Sequence, residues 1–245
     1  MNCYNTYAQH LSSARGISLG AFSSFAGSIG SLDWNPAGLN SLGNWEISLS
    51  NFTTTGNQSN GIGVFNSVGI GKRFLENQTV AAQYSPGKNL DFVLSSSFSI
   101  FDTAGIEVTA KFDQKISYNQ NYSFGYSYLF SNGLSVGIGA HYFETKISDM
   151  RYRFDENNSI QSYTEDYTAQ MWSIDLGLMT PISEHWSHGI TIKNLFQFSE
   201  HELNQKFENY RLNLSKIVRF GFGYTGLDDF KIALDGDSKY HFQVG

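Results

Sequence analysis

Alternation with a period of two constrains this chain more than any other feature. In NYSFGYSYLF, Tyr122, Phe124, Tyr126, Tyr128 and Phe130 fall on one side, with Ser123, Gly125 and Ser127 on the other. After the turn Ser131-Asn132-Gly133 the pattern resumes, with Leu134, Val136, Ile138, Ala140 and Tyr142 opposite Ser135, Gly137, Gly139 and His141. A period of two is the mark of a strand with two unlike faces, and an Asn-Gly pair between two such runs marks a hairpin. The alternation recurs in Trp172 to Leu178, in Val218 to Tyr224 and in Phe230 to Leu234. About ten or eleven strands are expected between Trp45 and Gly245, forming one antiparallel series.

Short connections, Leu75 to Gln78, Ser131 to Gly133 and Ser183 to His185, alternate with longer polar stretches, Ser148 to Asp166 and Ser199 to Ser215. Short turns on one rim and long loops on the other belong to outer-membrane barrels. Strands of 12 to 14 residues can cross an apolar layer of about 25 Å when tilted by about 40°. A soluble β-sandwich binding module is the alternative, because it also alternates. It normally exposes charged residues on its outer face, whereas the polar face here is mostly Gly, Ser, Thr and Asn, which suit a crowded lumen.

Composition supports a β protein: 24 Gly, 14 Tyr and 20 Phe stand against 3 Pro. The net charge of -6 offers no basic footprint for nucleic acid. No apolar run is long enough for a spanning helix, and a mean hydropathy of -0.29 does not discriminate, because a barrel averages its two faces. The single cysteine, Cys3, leaves no pair for a disulfide or thiolate metal site. The six histidines are scattered. His185 and His188 are three apart on an expected turn without a third ligand, so no metal, cofactor or catalytic set is assigned and the chain is not read as an enzyme. The glycines of GIGVF, GIGKR and GFGY open no helix, so they read as room inside a barrel for a plug or a solute.

The segment ARGISLGAFSSFAGSIGSLDWNPAGL, residues 14–39, resembles the N-terminal signature of the FadL-like outer-membrane β-barrel superfamily, most closely its PorV/PorQ-type branch. The matching positions are Arg15, Gly16, Gly20, Ala26, Gly27 and Trp34-Asn35-Pro36-Ala37-Gly38-Leu39. Weaker echoes run on in WEISLSN, SIDLGL, ITIKNL and IVRFGFGY. The resemblance implies a transmembrane antiparallel β-barrel over residues 45–245, with residues 1–44 as a leader folded into its mouth as a plug or hatch. Pro36 fixes φ, Gly38 can adopt a positive φ, and Asn35 can hydrogen-bond the local backbone. The other reading is that the motif caps the first strand.

The resemblance further implies a bacterial outer-membrane location, contact with outer-membrane lipid and passive transport of hydrophobic small molecules. PorV/PorQ-like service to type IX secretion, with secretion proteins as partners, is the alternative. Asp175, Lys193, Asn194 and Arg219 are the candidate lumen-facing polar residues; they line the path or tie down the plug, or else hold the wall together. Residues 1–13 lack the apolar core of a secretory signal, and the last residues fall in mid-strand without a terminal aromatic. The expectation is therefore a chain cut at both ends, or a small or incompletely closed barrel.

Overall fold

The computed structural model describes residues 24, 27–55, 62–101, 105–154, 160–201, 214–226 and 232–244. Ten strands form a single antiparallel sheet in chain order: β1 (Trp45–Thr55), β2 (Ile62–Phe74), β3 (Gln78–Phe101), β4 (Gly105–Leu129), β5 (Ser135–Phe154), β6 (Ile160–Pro181), β7 (Trp186–His201), β8 (Ile217–Tyr224), β9 (Ile232–Asp237) and β10 (Phe242–Val244). Every strand pairs with its sequence neighbours, and no ladder joins β10 to β1 among the described residues. Two short helices precede the sheet: α1 (Ser31–Trp34) and a 3-10 helix (Pro36–Ser41).

The two faces of the sheet reverse the usual order of a protein. Phe124, Trp172 and Phe220 are 49%, 46% and 47% exposed on one face, while Ser123, Ser173 and Asp175 on the other are 1%, 0% and 1% exposed. No second sheet covers the apolar rows, so the described strands do not form a sandwich.

Distances along the leader show that the polar face is strongly concave. Ile29 N donates to Glu46 Oε1 on β1 at 3.2 Å, and the Arg219 guanidinium on β8 lies 5.1 Å from the Trp34 ring centroid. Five residues of chain reach at most about 17 Å, yet in a flat sheet β1 and β8 would stand about 34 Å apart. The sheet must curl around the leader.

The hairpin expected at Asn132-Gly133 forms. Gly133 takes φ 84°, Phe130 N donates to Leu134 O at 2.8 Å, and Asn132 Oδ1 accepts from Leu134 N at 3.1 Å. A Cβ on Gly133 would lie 2.8 Å from Pro181 Cγ. Gly133→Val therefore combines a disfavoured φ with a clash, and should lower stability by about 1–3 kcal/mol, read as a lower urea midpoint of the folded barrel.

The long polar stretches differ from expectation. Ser148 to Asp166 is not a loop: β5 continues to Phe154 and β6 starts at Ile160, paired from Ser148↔Asp166 through Phe154↔Ile160. The polar run Gln161 to Asp166 on β6, broken only by Tyr163, hid this extension from a reading based on apolar contrast. Of Ser199 to Ser215, residues 199–201 belong to β7, and residues 202–213 lie outside the described residues. His188 is also within β7 and not on a turn.

Candidate functional site

Residues 27–42 of the leader occupy the concave face near the rim of short turns. Asn35 begins the 3-10 helix with its side chain: Oδ1 accepts from Ala37 N at 3.1 Å, and Nδ2 reaches across to donate to Leu178 O on β6 at 3.0 Å. Pro36 opens that helix, where its missing N–H costs nothing. Ala37 O accepts from Ser135 Oγ at 2.6 Å, and Asn40 Nδ2 donates to Ser135 Oγ at 2.6 Å. Arg73 on β2 donates to Asn40 O, and Ser187 Oγ on β7 donates to Ser24 O at 2.9 Å. Ile29, Leu32, Leu39 and Leu42 pack with Ala81 into a small apolar core beneath. Asn35 to Leu42 thus dock against the wall.

Glycines make room for this docking. A Cβ on Gly125 would stand 2.2 Å from Leu32 Cδ2, one on Gly137 2.3 Å from Ala37 N, and one on Gly177 2.1 Å from Asn35 Oδ1. The wall therefore approaches the leader with bare backbone on three adjacent strands. The expected left-handed turn at Gly38 is absent. Gly38 lies inside the 3-10 helix, and Gly133 is the one glycine with positive φ among the described residues. Trp34 ends α1 beneath Arg219. Arg15, Gly16 and Gly20 lie outside the described residues.

Above the leader, the four candidate polar residues converge on one region of the interior. Asp175 is at the centre. Its Oδ1 accepts from Asn194 N at 2.7 Å, and its Oδ2 lies 3.5 Å from Lys193 Nζ and 3.2 Å from His141 Nε2. The His141 contact is at ion-pair range without hydrogen-bond alignment. Lys193 Nζ also donates to Asp33 O on the leader. Asn194 adopts φ 56°, and the register jumps there from Ile174↔Phe196 to Leu176↔Ile192, a bulge in β7. The carboxylate of Asp175 thus replaces a ladder acceptor that the bulge removes. Asn194 Oδ1 accepts from Ser173 Oγ at 2.7 Å, and Asn194 Nδ2 donates to Ser215 O at 2.9 Å.

Two members of the cluster were not singled out from sequence. His141 is buried, with Nδ1 2.8 Å from Ser123 Oγ, and Ser123 is equally buried. The residue types resemble a hydrolytic triad, but the geometry does not serve one. Ser123 Oγ is closed to substrate, and Asp175 already has Lys193 and Asn194 N as partners. What the arrangement does chemically is hold a buried charge, fix a bulge and tether the leader through one lysine. Further up, Leu214 packs on Phe143 and Met171, held by Gln197, whose Oε1 accepts from Leu214 N at 3.2 Å. Leu214, just ahead of β8, thereby enters the interior. Among the described residues no cluster could hold a metal ion.

This architecture is similar to that of the Pseudomonas putida toluene transporter TodX: 91% of this chain and 82% of that chain align, with 13% identity and a TM-score of 0.51. A second crystal structure of the P. putida toluene transporter TodX aligns over 80% of this chain and 65% of that one, at 11% identity and a TM-score of 0.45. The TodX monoaromatic hydrocarbon channel deltaS2 mutant aligns over 92% and 94%, at 12% identity and a TM-score of 0.40. The likeness is one of fold alone. No curated protein matches the sequence. Residues 92–237 match the family model TraF_2, described as "F plasmid transfer operon, TraF, protein". That span takes in the end of β3 and all of β4 to β9, well over half of the sequence, and the chain belongs to the TraF_2 family.

Proposed function

We propose that the protein is a bacterial outer-membrane β-barrel that passes hydrophobic small molecules, with its leader as a plug in the lumen. The observation that carries the reading is the reversed distribution of polarity around the curved sheet. Large apolar side chains face out with nothing over them, while serines, His141, Asp175 and Lys193 are buried within. Hydrocarbon tails are the covering that such a surface needs. The ten residue-to-residue steps from Trp172 to Ile182 span roughly 25 Å at about 3.3 Å each and about 40° of tilt, which equals an outward apolar band of about 25 Å.

TodX is a toluene transporter, and the shared fold supports a solute of that apolar class. The PorV/PorQ-like role in type IX secretion rests on the leader motif alone. The family's description, a plasmid transfer operon protein, brings no residue-level chemistry to this chain.

Purified protein in liposomes should admit toluene, and a variant lacking residues 1–44 should admit it faster. Equal uptake by liposomes with and without protein would end the conduit reading. Unchanged uptake on removing the leader would end the plug reading.

A further inference from the structure

We propose that Lys88, Tyr118 and Lys146 form a site on the outer face of the sheet for the phosphate-bearing headgroup of a membrane lipid. The site rests on the membrane reading above and lies at the end of the barrel opposite the short turns.

Five aromatic residues mark the height. Tyr84, Tyr122, Tyr142, Trp172 and Phe198 stand in direct register across β3 to β7. Ring centroids along the first four are 4.7, 6.0 and 5.0 Å apart. Tyrosine and tryptophan in such a ring sit where hydrocarbon gives way to headgroups. The next outward row is polar. It holds Gln120, Glu144 and Gln170, with Tyr122 Oη donating to Gln120 Oε1 at 3.0 Å and Gln170 Nε2 donating to Glu144 Oε2 at 3.0 Å.

One row further out, Lys88 pairs with Tyr118 and Tyr118 with Lys146. That places two lysines on either side of one tyrosine, on adjacent strands, with the lysine Cα atoms about 10 Å apart. The row stands about 10 Å beyond the aromatic ring at the same tilt, which is the depth of the headgroups. Lys88 Nζ lies 5.2 Å from the Tyr118 ring centroid, and no carboxylate pairs with it among the described residues. Lys146 Nζ is 3.1 Å from Glu144 Oε1, which uses one of its three donors. Lys88, Lys146 and Glu144 together leave one positive charge, with Tyr118 between the two lysines in register. A phosphate monoanion or diester matches the charge, and long lysine stems can bring both heads to one such group.

The test compares lipid retained after extraction, by native mass spectrometry, with phosphatidylglycerol as the anionic probe and phosphatidylcholine as the neutral one. Wild-type protein should keep phosphatidylglycerol in preference by roughly tenfold or more, since each lysine near a charged surface contributes measurably. The Lys88→Gln/Lys146→Gln variant should fall to near parity. An unchanged preference in that variant would overturn the site. So would an equal loss in Lys72→Gln, whose lysine faces outward at the opposite end between Trp45 and Phe74, because total charge would then be what binds. Inorganic phosphate that occupies the row as tightly as the lipid would also overturn it. Insertion of all proteins into pure phosphatidylcholine liposomes, with heat-modifiable migration on gels, is checked in parallel. If they insert and show no preference, only the headgroup site falls; if they do not insert, the membrane reading falls with it.

Discussion

Gly137→Val combined with Gly177→Val should dislodge the leader while leaving the sheet intact. The Cβ atoms of these residues would approach Ala37 N to 2.3 Å and Asn35 Oδ1 to 2.1 Å. The atoms met are mostly backbone or fixed by hydrogen bonds, so no rotamer change relieves the overlap. Overpacking typically costs about 1–3 kcal/mol per site, and relief is available by releasing residues 27–42 from the wall. That release gives up the burial of Ile29, Leu32, Leu39 and Leu42, worth about 1.5–3 kcal/mol each, so the leader is expected to be partly and not wholly displaced. A cysteine placed at Ala37, buried in the native seat, should react with maleimide roughly 100-fold faster in the glycine variant, which corresponds to about 2.7 kcal/mol of seat energy. Heat-modifiable migration serves as the control for the wall. Unaltered labelling alongside a folded wall would mean that the leader does not dock on the glycine strip.

Asp175→Ala should have the largest effect of any interior substitution on stability. It leaves Lys193 buried beside His141 with no counter-charge and strips Asn194 N–H of its acceptor inside the bulge. Removing one partner of a buried pair costs about 3–5 kcal/mol, whereas removing both charges costs far less. Asp175→Asn keeps an acceptor for Asn194 N but not the charge, and should fall between wild type and alanine. Lys193→Met added to Asp175→Ala should recover part of the loss, and urea titration of the four proteins gives the coupling directly. Additive losses would mean that Lys193 does not depend on Asp175, and the tether to Asp33 would then need another explanation.

These residues also show which parts of the fold are legible from sequence. Alternation assigned the two faces of β4, β5, β6 and β8, because outward apolar side chains and mostly small or polar inward ones differ in kind. It also placed Asp175, Lys193 and Arg219 inside. A period of two assigns a face but not a register, so the approach of His141 on β5 to Ser123 on β4 and Asp175 on β6 was out of reach. The bulge was hidden for a related reason. It adds two residues to β7, so Ile190, Ile192, Phe196 and Phe198 keep the same parity on either side. Only a polar Asn194 at an outward position hinted that the backbone turns there. The β5–β6 extension went unread because its β6 half, Gln161 to Asp166, is polar at every position but Tyr163, which masks the alternation of Met150, Tyr152 and Phe154 with Arg151 and Arg153 on β5. Pro36 and Asn35 were legible as local turn chemistry, while the depth of the glycine-lined seat depends on three strands meeting, which no single segment encodes.

The seat also fixes an order of events during assembly. Asn35 bonds a carbonyl 143 residues further along the chain, and Ser24 accepts from a hydroxyl 163 residues further along. Contacts so distant in sequence close late, because the intervening chain must first be ordered. The earliest-synthesised of the described segments is therefore among the last to settle: the strands close into a curved trough before it has a place to go. A mutation that slows strand pairing should leave the amino-terminal stretch loose for longer, even though it touches none of those residues.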